Sequence, residues 1–370
     1  MRRALSSKFR PVFVRASLAL LIGSLGAALL TQQAAPSAAA GADNPPLLYV
    51  GSFDRSLYAV DAHTGAKVWS FPTGGSVFSS PTAAGGLVYV GSDDGNVYAL
   101  HARTGAKAWN FLTGSAVISS PAVVDGTVYV ASQDGNLYAL NAGDGAMIWK
   151  FMTGRSIESS PTVAGNVVYV GSDDDNVYAL NASTGAEIWK FKTGFLVQSS
   201  PTVAGNVVYV GSDDDNVYAL NASTGAEIWK FKTGFLVQSS PTVAGNVVYV
   251  GSDDDNVYAL NASTGAEIWK FKTDQAVFSS PRVVNGILYI GSNDSSVYAL
   301  NARTGAEIWD FLTGYEVTSS PTVINGVVYV GSLDDYFYAL NARTGAEIWD
   351  FLTGASVESS AAMSTGPGFS

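Results

Sequence analysis

The sequence contains no cysteine among its 370 residues, and only two histidines, His63 and His101. The absence of cysteine excludes disulfide bonds, cysteine zinc sites, a thiol nucleophile and a lipid-bearing cysteine anchor. Two histidines are too few for a histidine-based metal site, and we interpret both as surface residues. Charged residues make up only 14%, and acidic residues outnumber basic ones 31 to 20. The net charge of −11 makes nucleic acid and anionic lipid poor electrostatic partners.

The first 42 residues have the pattern of a signal peptide. Five basic residues precede an apolar run over residues 16–30. Pro36 follows, and the small residues 40–42 are of the kind that a signal peptidase requires. We therefore predict export and no stable membrane anchor after cleavage. The mature chain would have a net charge of −16, with 15 basic and 31 acidic residues. The alternative is an uncleaved N-terminal anchor.

Tryptophan occurs eight times, always at an interval of 40 residues. Residues 159–198 and 199–238 are identical, and residues 239–272 repeat the same segment again. This spacing indicates tandem copies of one structural unit. The eight positions are Trp69, Trp109, Trp149, Trp189, Trp229, Trp269, Trp309 and Trp349.

One unit is predicted to form four short strands, because β-branched and aromatic residues alternate with turn residues every 8–12 positions. Four-stranded units of about 40 residues are typical of a β-propeller. A solenoid is the competing architecture, but it needs polar caps at its ends. The Ser-Ser pairs recur in every unit without a histidine partner, so we do not interpret them as nucleophiles. In one unit the predicted strands are 160–163, 167–172, 177–181 and 187–191.

The two ends of the repeat region complement each other. Residues 47–50 form a second strand without its first, and residues 357–362 form a first strand without its successors. We therefore predict an all-β, eight-bladed propeller of four antiparallel strands per blade, closed by the C-terminal strand. The predicted domains are a signal peptide (1–42), a short linker (43–46), the propeller (47–364) and a C-terminal tail (365–370).

The segment from Ala59 to Trp69 (AVDAHTGAKVW) resembles the tryptophan-docking motif of pyrroloquinoline quinone (PQQ) repeats. The seven later units resemble it too, as from Ala179 to Trp189. The chain is thus similar to the PQQ-like β-propeller family over residues 47–364. The resemblance implies that each of the eight tryptophans is structural and packs between neighbouring blades.

The family resemblance implies two classes of function. Quinoprotein dehydrogenases bind PQQ and Ca²⁺ in the ring centre, with adjacent cysteines, an additional tryptophan and inserted segments. This chain has no cysteine, all eight of its tryptophans are at docking positions, and no blade has a long insertion. We therefore predict the non-enzymatic branch similar to the outer-membrane assembly factor BamB: a secreted or periplasmic, monomeric scaffold without catalytic residues, cofactor or metal. The alternative is a quinoprotein-type oxidoreductase or ligand sensor that binds PQQ in the central channel.

Strand order predicts a binding face. The turn between strands two and three should lie on the same face as the loop that leads from strand four to the next blade. Aromatic residues outside the repeated packing positions fall in or beside these loops, together with Asp-rich turns. This mixture indicates a recognition surface for a protein or peptide. The competing interpretation is that Asp caps the turns and the aromatic residues fill the inner ends of the strands. The candidate residues are Phe53, Phe78, Phe195, Phe235, Phe278, Tyr315, Tyr336, Asp174, Asp214 and Asp254.

Overall fold

The computed structural model describes residues 45–364, and this range contains 32 strands and no helix. The strands form eight four-stranded antiparallel sheets, which are the blades of a β-propeller. Blade 1 contains β1 (Leu47–Ser52), β2 (Ser56–Asp61), β3 (Lys67–Pro72) and the last strand, β32 (Ala362–Met363). Blade 2 contains β4 (Thr82–Ala84), β5 (Leu87–Gly91), β6 (Asn96–His101) and β7 (Lys107–Leu112). Blade 3 contains β8 (Ala122–Val124), β9 (Thr127–Ala131), β10 (Asn136–Asn141) and β11 (Met147–Met152).

The other five blades follow in chain order with the same strand lengths to within one residue. Blade 4 contains β12 (Thr162–Ala164), β13 (Val167–Ser172), β14 (Asn176–Asn181) and β15 (Glu187–Lys192). Blade 5 contains β16 (Thr202–Ala204), β17 (Val207–Ser212), β18 (Asn216–Asn221) and β19 (Glu227–Lys232). Blade 6 contains β20 (Thr242–Ala244), β21 (Val247–Ser252), β22 (Asn256–Asn261) and β23 (Glu267–Lys272). Blade 7 contains β24 (Arg282–Val284), β25 (Ile287–Gly291), β26 (Ser296–Asn301) and β27 (Glu307–Leu312). Blade 8 contains β28 (Thr322–Ile324), β29 (Val327–Gly331), β30 (Tyr336–Asn341) and β31 (Glu347–Leu352).

The predicted eight-bladed, all-β fold is confirmed, and the strand boundaries predicted for blade 4 agree with the structure to within two residues. The second predicted strand coincides with β13, but the first begins at Thr162 rather than Ser160. The reason is that Pro161 has no N–H for a ladder, and the preceding serine bonds to the next blade instead. Ser160 N donates to Ser200 Oγ (2.9 Å). The equivalent bond recurs at all eight steps around the ring.

The tryptophans join each blade to the next, as the resemblance implied. Trp189 Nε1 donates to the backbone oxygen of Ala222 (2.9 Å), and its ring lies against Gly225, where a Cβ atom would be only 2.7 Å from Cε3. Gly225 is therefore required both by this close approach and by its positive φ of 71°. All eight indoles make the same hydrogen bond.

The C-terminal strand closes the ring as predicted. β32 pairs antiparallel with β1, with Leu48 opposite Met363 and Tyr49 opposite Ala362. The last tryptophan, Trp349, donates from Nε1 to the oxygen of Ala62 in blade 1 (3.2 Å). The two ends of the propeller are therefore joined by a ladder and a docking contact, and β1 has no open edge.

The predicted signal peptide, the first two residues of the predicted linker and the C-terminal tail lie outside residues 45–364. The predicted domain limits therefore stay predictions. Over the part of the chain that the structure covers, no helix is long and apolar enough to cross a membrane.

Candidate partner-binding face

The turns between strands two and three lie beside the interblade loops, as strand order predicted. In blade 4, Asp173 N donates to Ser156 O (3.0 Å) and Gly154 N donates to Asp174 Oδ2 (2.7 Å). In blade 5 the corresponding acceptors are Leu196 O and Asp214 Oδ2. Because these loops and turns are bonded together, they form one continuous face of the ring.

The three aspartates of one Asp-rich turn have three different environments. In blade 5, Asp213 is buried with 7% of its surface exposed, and Oδ1 has no hydrogen-bond partner. Asp214 Oδ2 accepts from Tyr218 OH and from Gly194 N, both at 2.6 Å. Asp215 has a left-handed backbone with a φ of 68°, a conformation that Asp tolerates better than most residues. Sequence position within the turn thus decides what each carboxylate does.

The middle aspartates of the Asp-rich turns, Asp174, Asp214 and Asp254, were candidate contact residues. Each one joins its turn to the preceding interblade loop. Asp174 and Asp254 accept the same two hydrogen bonds as Asp214, from a tyrosine hydroxyl and from a backbone N–H of the preceding loop. Burial alone would raise the pKa of Asp174, but the hydrogen bonds from Tyr178 OH and Gly154 N lower it. The carboxylates therefore have a structural role, and a role toward a partner stays a prediction for all three.

Three of the candidate aromatic residues are exposed at one repeat position. Phe195, Phe235 and Tyr315 expose 52%, 53% and 56% of their surface. They lie in the loops that follow blades 4, 5 and 7, so they occupy one half of the ring. The same position in the other loops holds Gly75, Ser115, Arg155, Gln275 and Ala355. The face is therefore asymmetric, with its exposed aromatic rings on one side.

The other candidate aromatic residues are partly buried. The rings of Phe53 and Phe78 pack together with centroids 4.1 Å apart, so each covers part of the other. Tyr336 begins β30 and lies 5.8 Å from the ring of Tyr338. Phe278 lines a cavity on the same face. These four side chains take part in packing within the face, as well as reaching its surface, and their role in binding stays a prediction.

The cavity at the centre of this face was not found by sequence reasoning, which named only Phe278 in it. Its volume is about 460 Å³. Seven of its lining residues come from one repeat position, immediately before the Ser-Ser pair, in seven successive loops, and this places the cavity on the ring axis. The available signal was that this position varies in chemistry while its neighbours are constant. The lining residues are Ile118, Glu158, Gln198, Gln238, Phe278, Glu316, Thr318, Leu333 and Glu358.

The axial cavity is the mouth of the central channel, and we call it the channel mouth. Several carboxyl groups in and around it have raised pKa values. Burial, followed by the charges of Asp213 and Asp254, raises the pKa of Asp253 to about 7. Burial and the neighbouring Glu316 raise the pKa of Glu358 to about 7. For Asp173, burial and then the charges of Glu158 and Asp213 raise the pKa to about 6, against smaller opposing effects of the Ser156 hydroxyl and then of Arg155. Burial also raises the pKa of Asp213 and, together with Asp94, that of Asp93.

These raised pKa values predict that stability depends on pH. We expect the free energy of unfolding to fall as the pH rises from about 4 to about 7, because the folded channel mouth keeps protons that the unfolded chain releases. Asp174, with its lowered pKa, acts in the opposite sense, and its contribution is lost as the pH falls below about 4. Asp253→Asn will therefore raise the melting temperature at about pH 8 and flatten its decline above about pH 5.

The control for this experiment is Asp255→Asn in the same turn. Asp255 Oδ2 lies at the surface, 3.2 Å from Lys272 Nζ, and exposed ion pairs contribute little to stability. Melting curves over a pH series would measure both variants. A melting temperature that rises with pH through this range, or an Asp253→Asn variant that melts below the parent at about pH 8, would contradict the assignment.

Comparisons with known proteins agree with this architecture. The sequence model described as the β-propeller of the β-alanine-activating enzyme matches residues 128–326. The model described as outer membrane protein assembly factor BamB matches residues 26–153. No curated protein matches the chain.

Three solved structures show the same fold at low sequence identity. BamB from Moraxella catarrhalis is 21% identical, with a TM-score of 0.66 over 80% of this chain and 91% of that one. The computationally designed Ika8 protein is 17% identical, with a TM-score of 0.70 over 84% and 95% of the two chains. A europium-containing methanol dehydrogenase is 15% identical, with a TM-score of 0.66 over 79% and 81%. Because one sequence model spans more than half of the chain and the docking tryptophans recur in all eight blades, the chain belongs to the PQQ-like β-propeller family that these models represent.

Proposed function

We propose that this chain is a non-catalytic propeller that binds a protein or peptide through the face formed by the interblade loops and the strand 2–3 turns. The observation that supports it is the group of exposed rings of Phe195, Phe235 and Tyr315 on one half of that face. Aromatic side chains dominate the energetics of protein interfaces, because they bury a large area with few rotatable bonds. The equivalent position in the other five loops holds no aromatic side chain, so the aromatic half defines where a partner docks.

We also propose that the protein is exported to the periplasm or secreted, and acts as a monomer. The signal-peptide pattern of residues 1–42 supports export, and so does the match to a family described as an outer membrane protein assembly factor. The ring closes within a single chain through β1 and β32, so no second copy is needed to cover that edge. A scaffold role is consistent with the size and the closed shape of the propeller.

The residues at the channel mouth do not fit PQQ, the cofactor of the enzymatic members of this family. PQQ is a polycarboxylate, and the described cavity is lined by Glu158, Glu316 and Glu358 without a lysine or arginine. Each of the eight indoles already donates its N–H to an alanine oxygen of the next blade, as Trp189 does to Ala222. Charge repulsion and the fixed position of every tryptophan both weigh against a quinone in this channel.

A triple substitution tests the proposed face. Phe195→Ser, Phe235→Ser and Tyr315→Ser together should abolish partner capture in co-purification from the secreted or periplasmic fraction. The melting curve should stay close to that of the parent, because more than half of each ring is already exposed and few cavities form.

The matched control is the triple variant Arg103→Ser, Arg303→Ser and Arg343→Ser. These residues lie in the turns between strands three and four, on the opposite face, and all three are exposed. We expect this variant to capture the same proteins as the parent. The proposal fails if the arginine variant loses capture while the aromatic variant keeps it, or if the aromatic variant unfolds.

A further inference from the structure

Two turns on the face opposite the proposed binding face carry the dipeptide Asn-Gly, which occurs only twice in the sequence. Asn285-Gly286 joins β24 to β25 in blade 7, and Asn325-Gly326 joins β28 to β29 in blade 8. All four residues have a positive φ, between 50° and 78°, as in the two-residue hairpin turns for which Asn-Gly is a preferred sequence. Both asparagines are exposed, so solvent reaches each turn.

The side-chain amides and the glycine nitrogens of these turns are unhindered. In the described range 45–364, neither asparagine carboxamide makes a hydrogen bond, and neither does the N–H of Gly286 or of Gly326. A Cβ atom built on either glycine would meet no heavy atom within 4 Å, so the backbone here is uncrowded. Because glycine has no side chain, its nitrogen can approach the carboxamide of the preceding residue more easily than the nitrogen of any other residue.

Blade 4 shows the contrasting case in the same turn. Asn166 is exposed as well, but Val167 follows it, and the branched side chain of valine crowds the nitrogen. Asn166 Oδ1 also accepts a hydrogen bond from Ser183 Oγ (2.9 Å), which holds the carboxamide in place. The same Asn-Val pair and the same serine bond recur in blades 5 and 6. Local chemistry therefore separates the turns of blades 7 and 8 from those of blades 4 to 6.

Both Asn-Gly turns border a groove between blades 7 and 8. The two asparagines line one cavity of about 760 Å³, in which Arg343 is the one charged lining residue. Within residues 45–364 no acidic side chain lies at ion-pair distance from Arg343. In blade 2 the equivalent arginine, Arg103, donates from a guanidinium nitrogen to Pro45 O of blade 1 (3.0 Å). Pro45 and Asn285 occupy the same repeat position, so residue 285 lies across the groove from Arg343.

We propose that Asn285 and Asn325 are sites of spontaneous deamidation in the folded propeller. The nitrogen of the following glycine attacks the side-chain carbonyl carbon and closes a succinimide ring. The bond to the side-chain nitrogen breaks, and ammonia leaves with the proton of the glycine N–H. Water then opens the ring at either carbonyl, which gives aspartate or isoaspartate.

The reaction changes the charge of the groove as the molecule ages. Each event replaces a neutral amide by a carboxylate in the cavity that Arg343 lines, and the isoaspartate product also adds a methylene group to the backbone of the turn. The face opposite the proposed binding face therefore becomes more acidic with time. The exposed aromatic residues take no part, so a negative result in the test leaves the proposed function untouched.

Peptide mapping by mass spectrometry tests the proposal on the intact, folded chain aged in mildly alkaline buffer, where the glycine nitrogen loses its proton more readily. Trypsin cleaves after the arginines that bound residues 283–303 and 304–343, so each Asn-Gly lies in a peptide of its own. We expect the mass increase that accompanies exchange of NH₂ for OH at Asn285 and at Asn325, growing with time from an unaged sample. Asn166 is the internal control and should remain unchanged over the same time.

The same measurement on the chain unfolded in urea defines the effect of the fold. Gly286 O accepts a hydrogen bond from Ala302 N (3.0 Å), and Gly326 O accepts one from Ala342 N (2.9 Å). These bonds restrain the backbone rotation that brings the glycine nitrogen to the carboxamide. We therefore expect deamidation in the folded protein to be slower than in the unfolded chain but faster than at Asn166.

The matched variant is Asn285→Gly, Asn325→Gly. Blade 2 already has Gly85-Gly86 in the same turn, with φ of 58° and 80°, so the variant keeps the turn. Ion-exchange chromatography should separate more acidic forms from the aged parent and none from the aged variant. The proposal is overturned if neither peptide gains mass in the folded protein, if Asn166 reacts as fast as Asn285, or if the variant acquires acidic forms as quickly as the parent.

Discussion

Replacement of Trp189 by alanine will destabilise the propeller by about 3–5 kcal/mol, the cost of removing a large buried aromatic side chain. Trp189 is only 7% exposed, and its ring fills the space against Gly225 of the next blade. The acceptor oxygen of Ala222 keeps a second donor, because Tyr169 OH also bonds to it at 3.1 Å. The loss therefore comes mainly from the cavity between the blades, and denaturant unfolding followed by fluorescence would measure it.

Two further variants define the origin of this loss. Trp109→Ala should cost about the same, since Trp109 makes the equivalent bond to Ala142 at 3.0 Å. Ile188→Ala, one residue before Trp189 and 47% exposed, should change stability by less than about 1 kcal/mol. A tryptophan variant that keeps its melting curve but loses partner capture would show that the indole has a binding role rather than a structural one.

Deletion of residues 355–370 will open the ring and lead to aggregation. The deletion removes β32 and with it the pairing to Leu48 and Tyr49 of β1. It also removes the hydrogen bond from Ser360 N to Ser80 Oγ (2.9 Å), one of the eight bonds around the axis. β1 then becomes an unpaired apolar edge, which is a template for association between chains. Size-exclusion chromatography and thermal unfolding would detect the change.

The control is deletion of residues 365–370 alone. The last backbone contact of the closure is Ser364 N to Leu47 O (3.0 Å), so this shorter deletion leaves the pairing intact. It should elute and melt like the parent. If the longer deletion behaved in the same way, the closing strand would not be needed for the stability of the ring.

The strand pattern of this chain could be predicted because its determinants are local. Apolar and turn residues alternate within each unit, and the predicted second strand, 167–172, coincides with β13. The predicted start of the first strand at Ser160 was wrong by two residues, because the serine bonds to the neighbouring blade rather than within its own sheet. That contact joins residues 40 positions apart, and a single unit contains no signal for it.

The candidate face could be predicted only in part. Strand order predicted that the loops and turns lie on one face. Phe195 and Tyr315 lie outside the repeated packing positions of the sequence, and both are exposed in the structure. The sequence could not separate the roles of Asp213 and Asp214, which are adjacent and identical in type. The two side chains differ because they have different neighbours: Asp214 accepts a hydrogen bond from Gly194 N, whereas Asp213 is buried beside Gln238.

The sequence by itself determined the number of blades, the positions of the docking tryptophans and the closure by the C-terminal strand. Each of these follows from a repeat of 40 residues and from the patterns at its two ends. Only the tertiary structure decided that Glu158, Glu316 and Glu358 share one cavity. These residues are 40 or more positions apart in the sequence, and they come together because the interblade loops that carry them all face the axis of the closed ring. Burial beside Glu316 also raises the pKa of Glu358, and neither burial nor proximity is encoded in any single unit.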